Sequence, residues 1–563
     1  MELYKYLMPT PRTIRKRKDT EMTKLRFHGT RIDKTMQAQE YKLVTLDERV
    51  EILGGSKVAV FYAEQTLAQL WELYEGQALP DLFIHDWPEI ARRGYYYDVT
   101  RGKVPTLKTL KMLADRLAHY KINELQLYVE HTFAFAGFEE MWEHASPLTS
   151  KEIKSLDRYC AKKHIELVPS LSTFGHLYEL LRTEKYRHLC ELEGQADVPF
   201  NWPDRMLHHT IDVSNPESIE VIKNLLDQFI PLFQTDKFNI CCDETFDLGR
   251  GKNAQAAKKV GKGRLYVDFL KKIIMHVQSH GKTVMFWGDI LLEHPEYIAE
   301  IPKDTILLNW DYATNPNEGK ISKISESGLR QYLCPGAWGW NNLVNDIHSG
   351  YENISKMAQF AVKYKAIGLL NTDWGDFGNV NALATSIPGM IMGAAFSWNT
   401  SKIPAFETAC KMISRLEYGD LSETLVAQLD QTSRFDGQNL NVWTNLAHYD
   451  YEQLIGERHT WYNGQLFEMP VEKVLIEANK IEKQAVALQE TMHAAKKMDR
   501  EDIDEITVAV AGHAMLLRLL AHKLGAVAVK KQKQDWFKAF SKVWRQRNKK
   551  SELYRIKAFL DRL

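Results

Sequence analysis

The sequence has no surplus of charge: Lys+Arg and Asp+Glu stand at 73 each in 563 residues. Such a chain lacks the field that draws a protein onto nucleic acid or an anionic membrane, so neither is expected as a partner. No apolar run approaches the roughly 20 residues that span a bilayer. The N-terminus, Met1-Glu-Leu-Tyr-Lys-Tyr-Leu-Met8, lacks the apolar stretch of a secretion signal, and a cytoplasmic location is the expectation. Cysteine is sparse. Cys160, Cys190, Cys241, Cys242, Cys334 and Cys410 form no Cys-x-x-Cys pair, which argues against structural zinc and for buried thiols. Also missing is a Gly-rich dinucleotide turn, and no cofactor is expected. The basic cluster Arg12–Lys18 is expected to be a solvated N-terminal segment.

What is present is a soluble, globular composition, 44% hydrophobic and 26% charged, over a length suited to two or three domains. Residues 1–90 mix β-prone pieces (Tyr41–Thr45, Lys57–Tyr62) with a helix from Glu64 to about Tyr74, which predicts a small α+β domain. Residues 91–403 alternate short apolar runs with amphipathic stretches. The runs are Tyr95–Val99, Glu124–Val129, Ile165–Pro169, Phe238–Cys242, Thr283–Trp287, Thr305–Asn309, Gln331–Cys334 and Ala366–Leu370. Strands alternating with helices imply parallel βαβ units, and eight of them are the (β/α)8 TIM-barrel number. Residues 404–563 keep helical periodicity, as in Glu472–His493 and Ile503–Leu524, and predict a helical C-terminal region rich in Lys and Arg at its end.

In a barrel the active site lies at the C-terminal ends of the strands. The residues there are Asp98 and Arg101; Glu130 and His131; Phe174-Gly-His176; Asp243-Glu244; Trp287-Gly-Asp289; Trp310-Asp-Tyr312; Trp338-Gly-Trp340-Asn-Asn342; and Trp374-Gly-Asp376. A single tryptophan at the mouth reads equally well as packing. Tryptophan with an acid, amide or tyrosine at four consecutive strand ends points to a sugar, whose apolar face and hydroxyl rim these side chains suit. Asp243-Glu244 is the sharpest feature. Neighbours on a strand point to opposite faces, so both carboxylates serve one ligand only if the chain leaves strand geometry there. Acids at a helix N-terminus are the plainer reading.

These segments, with Phe61–Leu70, Ile84–Pro88 and Arg93–Arg101 before them, occur in the order found in glycoside hydrolase family 20, the β-N-acetylhexosaminidases. The chain resembles that family over roughly residues 40–400. The resemblance implies retaining removal of a terminal GlcNAc or GalNAc, with the substrate's acetamido group as nucleophile, the exception to the two-carboxylate scheme. It makes Glu244 the general acid and then base, with a pKa expected to be raised. It makes Asp243 the partner of the acetamido N–H and of the oxazolinium charge. Arg93 would donate to the 3- and 4-hydroxyls, Asp376 would hold the outer hydroxyls, and Trp287, Trp310 and Trp374 would wall the pocket. His176 would lie near Glu244, unless it is a satisfied structural histidine.

Three departures stand out. Asn239-Ile-Cys-Cys242 replaces the family's His-x-Gly-Gly, at positions read as packing. Glu130-His131 replaces an Asp-Asp pair that partners the histidine. The family's Tyr-Leu-Asp is absent, with Trp338-Gly-Trp340-Asn-Asn342 nearby and Tyr312 as the candidate hydroxyl. The rivals are a two-carboxylate glycosidase using Glu244 with Asp289 or Asp376 as nucleophile, and an amino-sugar-binding lectin. Metal hydrolysis is disfavoured, because the histidines placed at the barrel mouth lack ligand spacing, and no metal is expected. Oligomeric state is left open, a homodimer included.

Overall fold

The computed structural model describes residues 2–21, 27–46, 49–435, 440–456, 464–526 and 530–563. The N-terminal unit is a five-stranded sheet, β1 (Thr13–Glu21), β2 (Phe27–Ile32), β3 (Tyr41–Leu46), β4 (Arg49–Gly54) and β5 (Pro80–Asp86), in the order β1-β5-β3-β4-β2. Two expectations change here. The basic stretch is only in part solvated: Arg15 and Lys16 are exposed on β1, whereas Arg12, just before the strand, stacks over Trp87 at 4.7 Å and pairs with Glu89 at 3.1 Å. Lys57–Tyr62 is not a strand but the first turns of a helix, Lys57–Leu73. Its β-branched residues are overruled by Ser56, whose hydroxyl accepts from the N–H groups of Val58 and Ala59, and by an apolar face packed on the sheet.

Eight parallel strands then close a barrel: β6 (Arg92–Asp98), β7 (Glu124–Val129), β8 (Glu166–Leu171), β9 (Lys237–Asn239), β10 (Thr283–Trp287), β11 (Ile306–Trp310), β12 (Arg330–Cys334) and β13 (Gly368–Asp373). All eight apolar runs contribute a strand. Closure pairs β13 with β6, Leu369 opposite Arg93 and Asp373 opposite Tyr97. Between the strands lie capped amphipathic helices, for example Ser150–Lys162, where Thr149 and Glu152 form a reciprocal capping box. Val168, Met285, Ile306, Leu308 and Leu370 fill the barrel interior, and a layer of rings, Tyr96, Tyr128, Trp287 and Trp374, caps it towards the strands' C-terminal ends.

The rest is helical: Phe406–Leu416, Leu425–Thr432, Val442–Ile455, Val471–Ala494, Arg500–Lys523, Lys530–Arg547 and Leu553–Arg562 among the described residues. This region packs on the barrel mouth. Phe559 meets Trp202 and Trp443 edge-on, each at 4.9 Å, and the Trp443 indole N–H donates to the Phe377 carbonyl at 2.7 Å. No helix among the described residues is long and apolar enough to cross a membrane.

Candidate active site

β9 is short because the chain leaves strand geometry immediately after it. Cys241, Cys242 and Glu244 all adopt left-handed backbone conformations, with φ of 56°, 65° and 48°. Such conformations cost non-glycine residues of order 1 kcal/mol or more each, and they cluster where structure is specified by function. The departure from Gly-Gly at 241–242 is therefore more than a change of packing: it places two β-carbons where glycine is the relaxed choice. The cysteines are held by Ser170, whose hydroxyl lies 3.2 Å from Cys241 Sγ, and Thr173, 3.3 Å from Cys242 Sγ.

The consequence of the turn is that both carboxylates face one way. His176 Nε2 lies 3.1 Å from Glu244 Oε2 and 3.7 Å from Asp243 Oδ2, and one donor atom from each of the three residues lies within 4.8 Å of the others. Gly175 is required beside them, because a β-carbon there would meet the Asp243 carbonyl oxygen at 2.6 Å. Burial pulls the His176 pKa down, but Glu244 and Asp243 outweigh it and leave it raised. Asp243 is held above the usual carboxylate range by burial, which Glu244 reinforces and His176 opposes. Behind the pair, Asp289 accepts the Glu244 backbone N–H at 3.0 Å, and burial with the Asp243 charge pushes its carboxyl up to about 8.

Asp243 and Glu244 open into a cavity of about 280 Å³. Trp310, Tyr312, Trp340 and Trp374 form its aromatic side. Tyr312 stacks on Trp310 at 5.2 Å and its hydroxyl accepts the Trp374 indole N–H at 2.6 Å. Burial raises the phenol's pKa, so that hydroxyl keeps its proton. Opposite the rings, Arg101 grips Asp376 at 2.7 Å and Glu130 at 3.2 Å, with its guanidinium over Trp374 at 5.1 Å. Burial, which Arg101 opposes, pushes the Asp376 carboxyl up to about 6. Asp98 orders this side: its Oδ1 accepts from the N–H groups of Thr100 and Arg101, and its Oδ2 from Gly375.

Nine of the residues singled out in the sequence thus line one cavity: Arg101, Asp243, Glu244, Trp310, Tyr312, Trp340, Asn341, Trp374 and Asp376. Others stand just behind them. Trp287 is fully buried against Tyr96 and Trp374, and its indole N–H has no acceptor among the described residues. Trp338 packs on Trp340 at 5.2 Å. Glu130 and His131 are buried under Arg101, where His131 Nε2 meets Glu552 at 3.0 Å.

Arg93 does not reach the cavity. It sits at the N-terminal end of β6, and its guanidinium donates to the carbonyls of Lys121, Ile90 and Ala91, to Gln39 and to the Tyr62 hydroxyl. The reason is geometric: Arg93 is the second residue of the strand, and the active face of a parallel barrel is at the other end. The fork placed at the cavity is Arg101. Met206, Phe377, Thr444 and His448 also line the cavity and were not foreseen. Thr444 and His448 come from the helix Val442–Ile455, one turn apart, and no local signal tells a helix that its polar face will close a distant pocket.

Comparison with known proteins agrees with this architecture. The family model described as "Glycosyl hydrolase family 20, catalytic domain" matches residues 90–365, and that for its domain 2 matches residues 4–87. Hexosaminidase D of Bos taurus is 23% identical over 286 residues, 47% of this chain and 79% of that protein. A beta-hexosaminidase of Akkermansia muciniphila is 23% identical over 325 residues, 51% of this chain and 63% of the relative. Among solved structures, the chitobiase of Flavobacterium johnsoniae aligns at a TM-score of 0.62 with 17% identity, covering 97% of this chain and all of that one. The GH20 exo beta-N-acetylglucosaminidase of Vibrio harveyi, in complex with N-acetylglucosamine, aligns at 0.60 with 16% identity over 76% of this chain and 78% of its own. With both family models matched in order, and the barrel and the preceding sheet domain in place, the chain belongs to glycosyl hydrolase family 20.

Proposed function

We propose that the protein is a retaining exo-β-N-acetylhexosaminidase that removes a terminal GlcNAc or GalNAc with the help of the substrate's own acetamido group. The observation that carries this is the left-handed turn at 241–244, which sends two adjacent carboxylates into one aromatic-sided cavity. A binding module has no need of that strained arrangement. A cavity of about 280 Å³ is small for a ligand cleft, the scale of one substituted sugar ring, which favours action on a chain end.

In this reading Asp243 accepts the acetamido N–H and aims the carbonyl oxygen at C1. Glu244 gives its proton to the glycosidic oxygen as the C1–O bond breaks, and the carbonyl oxygen forms the new bond to C1. The resulting oxazolinium cation is stabilised by the Asp243 carboxylate. Glu244 then takes a proton from water, the water oxygen bonds to C1, and the ring reopens with the β configuration retained. In the same reading Tyr312 donates to the acetamido oxygen, and Arg101 with Asp376 grips the outer hydroxyls; their lining of the cavity supports it. His176 holds the two acids in register. The rival use of Asp289 as nucleophile loses support from its position: it does not line the cavity and is engaged by the Glu244 backbone. Six free, buried thiols support a reducing compartment such as the cytoplasm.

The test is an assay on aryl β-N-acetylglucosaminide, β-N-acetylgalactosaminide and β-glucoside, each with and without a thiazoline mimic of the oxazoline. The two acetamido sugars should be cleaved and the mimic should inhibit. Comparable cleavage of the glucoside, indifferent to the mimic, would rule the reading out.

A further inference from the structure

Under the sugar-gripping residues runs a buried chain of alternating charges that ends in the C-terminal helical region, outside both matched family segments. Asp376 holds Arg101 at 2.7 Å, and Arg101 Nε donates to Glu130 at 3.2 Å. Glu130 in turn faces Arg205 at 3.4 Å. Arg205 ends on Glu552 at 2.6 Å, and the same Glu552 takes His131 at 3.0 Å and Arg555 at 3.2 Å. Every side chain from Arg101 to Glu552 is buried. Although burial pushes the Glu552 carboxyl up, Arg205, Arg555 and His131 bring it well below the usual range, so it is a fixed negative charge.

The backbone adds a second tie. Glu552 N–H donates to the Gly102 carbonyl at 3.1 Å, one residue beyond Arg101. Lys549 N–H donates to Val104 O at 2.8 Å, and Val104 N–H donates to the Ser551 hydroxyl at 2.9 Å. The segment 549–552 therefore lies along the loop that carries Arg101, and its carboxylate sits at the far end of the charges that aim Arg101.

We infer that Glu552 is a positioning residue for recognition of the sugar's outer hydroxyls, acting through Arg205 and Glu130 on Arg101. The inference rests on the reading that Arg101 and Asp376 hold those hydroxyls. Its physical basis is the cost of an unshared buried charge. With Glu552 in place, Arg205 is divided between two carboxylates and leaves Glu130 Oε1 to Arg101. Without it, Arg205 has only Glu130 as an anionic partner, and the carboxylate that orients Arg101 is drawn away. The effect falls first on the hydroxyl grip, because Asp243 and Glu244 pair with His176 and not with a member of the chain of charges, which reaches Asp243 only through the field of Arg101.

The test uses the full-length protein and two substrates, an aryl β-N-acetylglucosaminide and its 4-deoxy analogue. Glu552→Gln keeps the size of the side chain and removes its charge. It is expected to lower kcat/KM on the intact sugar ~10-fold or more, mainly through KM, and on the 4-deoxy sugar by less than ~3-fold. Glu552→Asp should recover part of the loss. Arg205→Lys, which keeps a charge but cannot bridge two carboxylates, should show the same selectivity and serves if Glu552→Gln fails to fold. Equal losses on both sugars would mean a merely structural role and overturn the inference. Failure of the unaltered enzyme to distinguish the two sugars would overturn the reading beneath it, and the inference with it.

Discussion

Arg93 and Arg101 leave one short segment of chain and end at opposite faces of the barrel. From Arg93 to Asp98 alone the strand climbs roughly 17 Å, at about 3.3 Å per residue. At the lower face Arg93 is surrounded by neutral oxygens that take up its N–H groups, with Trp398 beneath it at 4.8 Å. Its neighbours there are equally settled: Lys237 pairs with Glu124 at 2.9 Å and with Glu166 at 2.6 Å, and Tyr332 donates to Glu124 at 3.0 Å. At the upper face Arg101 is shared among carboxylates, the backbone is left-handed at His176, Cys241, Cys242, Glu244, Trp338 and Asp376, and buried polar atoms of Trp287, Trp338 and Asp289 lack partners among the described residues. The lower face confines its left-handed residues, Lys121, His164 and Lys365, to helix ends and pairs its charges. The upper face carries them in the loops that hold the carboxylates and tryptophans, beside unshared polar groups, as functional sites do.

If that contrast is right, changes at the upper face should cost rate and changes at the lower face should cost stability. The largest effect is expected from Glu244→Gln, which should lower kcat by roughly 10²–10⁴ on substrates with poor leaving groups while leaving the melting temperature nearly unmoved. Asp243→Asn should slow activated aryl substrates as well, because it acts on the nucleophile and not the leaving group. Arg101→Ala should lower kcat/KM by about 10²-fold, the scale of one or two charge-assisted hydrogen bonds to the sugar. Arg93→Leu should do the reverse. It strands several buried carbonyls and should lower unfolding free energy in urea by about 3 kcal/mol, with kcat/KM of the folded enzyme unchanged. A drop in kcat/KM with Arg93→Leu as large as that with Arg101→Ala would break the comparison.

The smallest effect is a pH dependence. The Asp289 carboxyl titrates in the folded protein at about 8, above its unfolded value near 4. A carboxyl with a raised folded pKa favours folding fully below the unfolded value and loses that contribution as pH rises towards the folded one. The melting temperature should therefore fall between pH 4 and 8 more steeply for the unaltered protein than for Asp289→Asn, and the two curves should run parallel above pH 8. Parallel curves throughout would show that Asp289 is not the group responsible.

Much of this was legible in the sequence because barrel strands are buried on both faces and write themselves as apolar runs. All eight were readable, and so was the residue that follows each. The same rule points to Arg101, which follows its apolar run, and passes over Arg93, which precedes it; the role expected of Arg93 came from the motif resemblance alone. Lys57–Tyr62 misled for a different reason, since Val-Ala-Val-Phe-Tyr suits a strand and only the cap at Ser56 and the packed face decide otherwise. Thr444, His448 and Glu552 were beyond reach. Thr444 and His448 are ordinary residues on a helix and Glu552 stands just before one, and their importance comes from contacts more than 60 residues away in sequence.

That last group bears on how the enzyme comes into being. A chain emerges from the ribosome in order, and domains generally fold as units as it does so. The strands of the barrel, with both acids and the tryptophans of the site, are complete in sequence by Asp376, yet the carboxylate that completes the charges under Arg101 is at position 552. A nascent chain can thus carry a folded barrel for some time before its sugar-binding face is finished, and full activity should arise only after synthesis has passed that residue.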